Sequence, residues 1–130
     1  MELSLERPGA HLFIRSVSSA GIEVEERLYQ GPLIVSATRL IEDWSTAALA
    51  DLTEAHFDAV FDLSPEIVLI GTGPEQLFPG PELLMCFYRR HIGVECMTTR
   101  AACRTFNVLA GERRNVVAAL LPPGPNPEDS

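Results

Sequence analysis

The sequence predicts an α/β fold: N-terminal β-hairpins followed by a β-α-β-α-β unit with a mostly parallel central sheet. Three observations predict it. Short apolar runs alternate with Gly, Pro and Ser near the N-terminus; the unbroken apolar run Ile67-Val68-Leu69-Ile70 sits between Pro65 and Gly71; and two amphipathic segments follow it, each trailed by another apolar run. At 130 residues, 46% hydrophobic and 22% charged, the chain has the size and composition of one globular domain.

Leu12 to Val17, Ile22 with Val24, and Leu33 to Val35 are divided by Ser18-Ser19-Ala20-Gly21 and by Gly31-Pro32, which is hairpin punctuation. Leu40-Ile41 and Trp44 extend the pattern but are too short to separate strand from turn. Thr53 offers an N-cap, and Phe57, Val60 and Phe61 recur at helical spacing, so a short amphipathic helix is expected as far as Ser64, before Pro65. Ile67 to Ile70 is the central strand. Pro81 suits a first helical turn, Leu84, Phe87, Tyr88 and His91 share a side, and Gly93 supplies a stop. Val94 to Met97 reads as the next strand. Thr98 or Thr99 then caps a helix that Gly111 ends, and Val116 to Leu121 returns as a strand. The domain is expected over residues 1–121, with residues 122–130 a disordered, Pro-rich tail unable to supply ladder donors.

Charge and composition remove whole classes of function. The formal charge is −8, which repels phosphate backbones, so no nucleic-acid partner is expected. All positive side chains are Arg, and without Lys there is no amine for Schiff-base chemistry, a pyridoxal phosphate site or a P-loop. The charge is uneven: net −10 over residues 1–83, +4 over 84–121 and −2 in the tail. Acids in the opening Met1-Glu2-Leu3-Ser4-Leu5-Glu6 do not suit a signal or transit peptide, and no run approaches the ~20 apolar residues of a membrane span. Cys86, Cys96 and Cys103 form no C-x-x-C pair and suit reduced thiols. A cytoplasmic protein without stable membrane insertion is expected. Arg-only, Ala- and Pro-rich usage suggests a bacterial source.

If the later strands are parallel, Gly71-Thr72-Gly73-Pro74 and Met97-Thr98-Thr99 both lie beyond carboxyl ends, where open α/β sheets place their ligand crevice. Gly71, Thr72, Gly73, Thr99, Cys103 and Arg104 are the candidate crevice or anion-binding residues, because a helix start offers free N–H groups and Arg100 and Arg104 add charge. The same threonines can simply cap the helix, and the same glycines can simply permit a turn. Cys103 between Arg100 and Arg104 is either a reactive thiol or, with Ala102, Phe106, Leu109 and Ala110, part of the buried stripe. Gly71-x-Gly73-x-x-Gln76 lacks the third glycine of a dinucleotide fingerprint, and His11, His56 and His91 have no metal-ligand spacing, so neither a cofactor nor a metal is expected. Of the later arginines, Arg89, Arg90, Arg113 and Arg114 either neutralise the acidic first half or form a face for an acidic or aromatic protein partner.

One stretch is more specific. Met97-Thr98-Thr99-Arg100-Ala101-Ala102-Cys103-Arg104-Thr105-Phe106-Asn107-Val108-Leu109-Ala110-Gly111-Glu112-Arg113-Arg114, followed by Val117-Ala118-Ala119-Leu120, resembles an uncharacterised bacterial and archaeal family related to mitochondrial respiratory complex I assembly factor 3. Gly71-Thr72-Gly73, Pro79-Gly80-Pro81-Glu82-Leu83 and Gly93-Val94-Glu95 match as well, and the resemblance runs from about His11 to Leu121. It implies a compact three-layer α/β domain without established enzymatic activity and, for the mitochondrial relatives, assembly of complex I through protein partners. The family pattern more usually has Asp at Thr98 and Tyr at Phe106, which weakens any case for acid or hydroxyl chemistry here. It supplies no catalytic residue to carry over.

The function expected is therefore a non-enzymatic protein-interaction domain, an assembly factor for a respiratory or other membrane complex. The alternative is a small anionic ligand-binding protein or thiol enzyme, using the crevice between the Gly71–Gly73 loop and the helix start at Thr99 to Arg104. A shared rim for Thr72 and Thr99 is the condition on which every crevice residue depends.

Overall fold

The computed structural model describes residues 2–4 and 11–125. In chain order the strands β1 (Glu2–Ser4), β2 (Ile14–Ser18), β3 (Gly21–Val24), β4 (Arg27–Tyr29), β5 (Leu33–Ser36) and β6 (Arg39–Glu42) come first. Two 3-10 turns, Leu49–Asp51 and Glu54–Phe57, lead into α1 (Asp58–Asp62). Then follow β7 (Ile67–Gly71), α2 (Pro81–Arg89), β8 (Gly93–Met97), α3 (Thr99–Gly111) and β9 (Val116–Leu120).

The main sheet has the order β1-β6-β5-β9-β7-β8, and β2-β3-β4 form a separate three-stranded sheet. β7 pairs in parallel with both β8 and β9, so the β-α-β-α-β unit carries the parallel character expected of it. The hairpin strands join antiparallel: β5 to β9, β6 to β5 and β1 to β6. The whole sheet is thus mixed: β5 and β6, joined by a tight turn, must reverse direction, the helical crossovers preserve it, and β5–β9 and β1–β6 are antiparallel pairings between segments distant in sequence. Gly21, at φ 137, opens the β2–β3 hairpin, and a side chain there would strike the Tyr29 carbonyl.

Alternation along the central strands sorts their side chains to two cores. Leu69, Val116, Ala118 and Leu120 face α3 and the small sheet, packing on Ala102, Cys103, Phe106, Ile14, Ile22 and Val24. Val68, Ile70, Val117 and Ala119 face the opposite way, against Phe57, Val60, Leu83, Cys86 and Phe87. Three layers result. Each fully buried large apolar side chain, such as Phe87 or Phe106, contributes about 1.5–3 kcal/mol.

Local signals explain most element ends. Thr98 Oγ1 accepts the Ala101 amide at 3.2 Å and so caps α3, and Pro81 starts α2. The helix stops fall on non-glycine residues: His91 (φ 59) and Arg113 (φ 62) turn left-handed, and the following amides of Ile92 and Arg114 return to the Phe87 and Leu109 carbonyls. The expected helix from Thr53 is split into a 3-10 turn and α1, with His56 Nδ1 accepting the Thr53 amide at 2.9 Å. Of the tail, residues 122–125 are described: Pro123 is buried, and the Gly124 carbonyl lies 3.5 Å from the Arg100 guanidinium. The disordered tail expected beyond them falls outside the described residues.

Candidate functional site

β7 and β8 end side by side, Gly71 being the register partner of Met97, so the loops after them meet at one rim. The structure brings Gly71, Thr72, Gly73 and Thr99 together. Gly71 is packed so closely that a Cβ on it would stand 3.0 Å from Thr99 Oγ1 and 3.1 Å from Thr99 Cα. What forms there is a clasp. Gly73 N donates to Thr99 Oγ1 at 2.9 Å, and that hydroxyl donates onward to the Leu121 carbonyl at 2.7 Å. Thr72 Oγ1 lies 2.6 Å from the Glu75 carbonyl and 3.1 Å from that of Met97, and it accepts the Leu77 amide at 3.2 Å. Both threonines are buried, so their hydroxyls tie β7, β8 and β9 together at this end.

Cys103 and Arg104 lie elsewhere, one turn further along α3. They line a cavity of about 280 Å³ between that helix and β2, together with Phe13, Ile14, Arg15, Ser16, Val17, Arg100 and Asn107. Asn107 fixes the two walls: its Oδ1 accepts the Ile14 amide at 2.9 Å and its Nδ2 donates to the Ile14 carbonyl at 2.8 Å. Arg100 donates through Nη1 to the Val17 carbonyl at 2.9 Å, while its buried Nε has no acceptor among the described residues. A buried charged donor in that condition costs about 1–3 kcal/mol or more until an acceptor arrives. Arg15 is the extra residue of a β-bulge, since Ile14 pairs with Val24 and Ser16 with Glu23.

Burial pushes the Cys103 thiol up to about 12, against the opposing pull of Arg104 and Arg100. It is protonated at neutral pH and serves as an apolar wall. Cys96 is raised by burial to about 11, and Cys86, also raised by burial, donates to the Leu83 carbonyl at 2.9 Å. Helical spacing puts Arg100, Arg104 and Asn107 on one face of α3; Phe13 and Arg15 carry no local signal, because a bulge depends on the partner strand.

The four arginines of the expected partner face gather at the opposite rim, just before β8 and β9, whose first residues Gly93 and Val116 both register with Ile67. Two are committed inside the molecule. Arg90 pairs with Glu54 at 2.9 Å and lies 4.0 Å over the Phe61 ring, and Arg114 pairs with Glu66 at 3.0 Å, holding that carboxyl below its ordinary range. Arg89 and Arg113 are exposed and make no ion pair among the described residues.

Residues 14–121 match a family described as a protein of unknown function, DUF498/DUF598. The chain belongs to that family. It is 31% identical over 122 residues to the 13 kDa major membrane protein of Francisella tularensis subsp. holarctica, spanning 93% of this chain and 99% of that one. It is 37% identical over 123 residues to NADH dehydrogenase (ubiquinone) 1 alpha subcomplex assembly factor 3 of Bos taurus, spanning 93% of this chain and 66% of that one. This chain therefore corresponds to about two thirds of the length of that assembly factor. An NMR structure of a Xanthomonas campestris protein, 38% identical, superposes with a TM-score of 0.80 over 92% of this chain and 91% of that one. In this family member Thr98 caps α3, a role Asp performs equally well, and Phe106 is fully buried in the core between α3 and the main sheet. No helix among the described residues is long and apolar enough to cross a membrane.

Proposed function

We propose that this chain is a cytoplasmic protein-interaction domain that assists assembly of a respiratory or other membrane complex. The observation that carries the reading is the outward side of α2. Met85 and Tyr88, one turn apart, are about half exposed, and Phe78 on the loop leading into the helix is 66% exposed. Large apolar and aromatic side chains left in water on one element mark protein contact surfaces, and Tyr and Met are enriched there. β8 borders the same region as an edge strand, paired only with β7 among the described residues, and Arg89 at the end of α2 adds a cation for an acidic rim. The curated relatives named as complex I assembly factors supply the process.

Deleting the gene in its source organism and resolving respiratory complexes on native gels tests this. Assembled complex should fall and be restored by the wild-type gene but not by one carrying Met85→Asp and Tyr88→Asp. Unchanged complex levels after deletion would reject the proposal.

A further inference from the structure

We propose that the cavity between β2 and α3 is a binding site for a small polyanion, a phosphate monoester or a compact polycarboxylate, held by Arg15, Arg100 and Arg104. This uses a surface separate from the partner face and stands whether or not that reading holds.

In a chain of net charge −8, three guanidinium groups line one cavity, and among the described residues no acidic side chain lines it with them. The arrangement has several independent supports. Arg15 occurs as the extra residue of a bulge, a device that re-aims one side chain without disturbing the rest of the strand. Arg100 and Arg104 are four apart on α3, so their side chains are neighbours on one face. Arg100 is held by the Val17 carbonyl and, at 3.5 Å, by that of Gly124, which fixes its guanidinium plane before any ligand arrives, and its buried Nε has no acceptor among the described residues. Like charges brought together repel, and an anion with two or more charges on oxygen relieves that repulsion by pairing with the guanidinium groups. The Glu23 carboxylate, across the β2–β3 ladder, already accepts from Ser16 Oγ at 3.0 Å. Phe13, Val17 and Cys103 give the cavity an apolar side, which strengthens hydrogen bonds made within it. At about 280 Å³ it admits a single compact anion; a dinucleotide needs far more room.

The test is an NMR titration of the full-length, 15N-labelled protein with sodium phosphate and separately with sodium citrate, ionic strength being held constant with chloride. Saturable shifts confined to residues 13–17 and 100–107, with movement of the Arg100 Nε–Hε resonance, are expected with at least one probe. Phosphate alone saturating identifies a phosphate ligand, and citrate alone a polycarboxylate; either supports the site. Arg15 and Arg104 are exposed and their side chains make no hydrogen bond among the described residues, so Arg15→Gln and Arg104→Gln should leave the remaining spectrum intact. Each should weaken binding at least about tenfold, as expected for one charge-assisted contact. The absence of saturable shifts with both probes, or affinity unchanged in Arg104→Gln, would overturn the proposal.

Discussion

Gly73 and Thr99 hold each other through two hydrogen bonds, Gly73 N to Thr99 Oγ1 at 2.9 Å and Thr99 N to the Gly73 carbonyl at 3.0 Å. Since the same hydroxyl also donates to Leu121, one oxygen joins the ends of β7 and β9 to the start of α3. Thr99→Val preserves shape but leaves the Gly73 amide and the Leu121 carbonyl without partners. A loss of about 2–4 kcal/mol in urea unfolding is expected, whereas Thr99→Ser should cost about 1 kcal/mol or less. A Thr99→Val loss below about 0.5 kcal/mol would show that the hydroxyl does not hold the loops.

Two glycines should respond in opposite directions. A Cβ at Gly71 would stand 2.8 Å from Leu120 Cδ2 and 3.1 Å from the Thr99 backbone, so Gly71→Ala should destabilise by about 1–3 kcal/mol through overpacking. Gly111, in the last turn of α3, has nothing within 4 Å of the same position and no positive φ. Gly111→Ala should therefore stabilise by about 0.5–1 kcal/mol, because Ala loses less conformational freedom on folding. Equal effects at the two sites, measured as thermal midpoints, would contradict the close approach at Gly71.

The contrast between these sites marks what a sequence can show. Periodicity and caps identify local elements, so the strand Ile67–Ile70 and the helix starts at Pro81 and at Thr98 or Thr99 were legible, and the meeting of the Thr72 and Thr99 loops followed once β7 and β8 were parallel. The antiparallel join of β5 to β9 was not, since pairing Leu33 with Leu120 depends on contacts 87 residues apart with no local signature. The candidate site shows the same division. Arg100, Arg104 and Asn107 share a readable helix face, but the wall opposite them comes from a bulge in a strand more than eighty residues earlier. The residue types at the clasp also fit two roles, and only hydrogen-bond partners distinguish a threonine that waits for a ligand from one that ties a loop.

The raised thiols make a pH prediction. An ordinary thiol loses its proton near 9.0, while Cys103 in the folded protein holds it to about 12 and Cys96 to about 11. Between those values the unfolded chain binds fewer protons than the folded one, so stability falls as pH rises. The contribution is fully present below pH 9 and declines from there toward pH 12. Cys103→Ala should flatten the fall in urea midpoint above pH 9 relative to wild type, although its stability at neutral pH is lower because a small cavity is left. Under native conditions at pH 8, iodoacetamide should spare Cys103 and modify it only after denaturant is added; prompt native labelling would contradict the burial.

Asn107 gives the most local test of how the small sheet is attached, because its carboxamide is bonded to both backbone groups of Ile14, 93 residues away in sequence. Asn107→Ala removes both bonds and should cost about 1–3 kcal/mol. It should also raise amide exchange at Ile14 at least about tenfold, since β2 then opens from α3 more readily than the molecule unfolds. Asn107→Asp separates the two contacts. It keeps an oxygen for the Ile14 amide, so exchange there should stay near the wild-type rate, but it loses the donor to the Ile14 carbonyl and should fall between wild type and Ala in stability. Its new carboxylate also lies one turn from Arg104 and so partly neutralises the cavity, which means that the same variant should weaken any polyanion bound there. If exchange at Ile14 is unmoved even in Asn107→Ala, the small sheet is held by its apolar face alone, and the carboxamide does not set the width of the cavity.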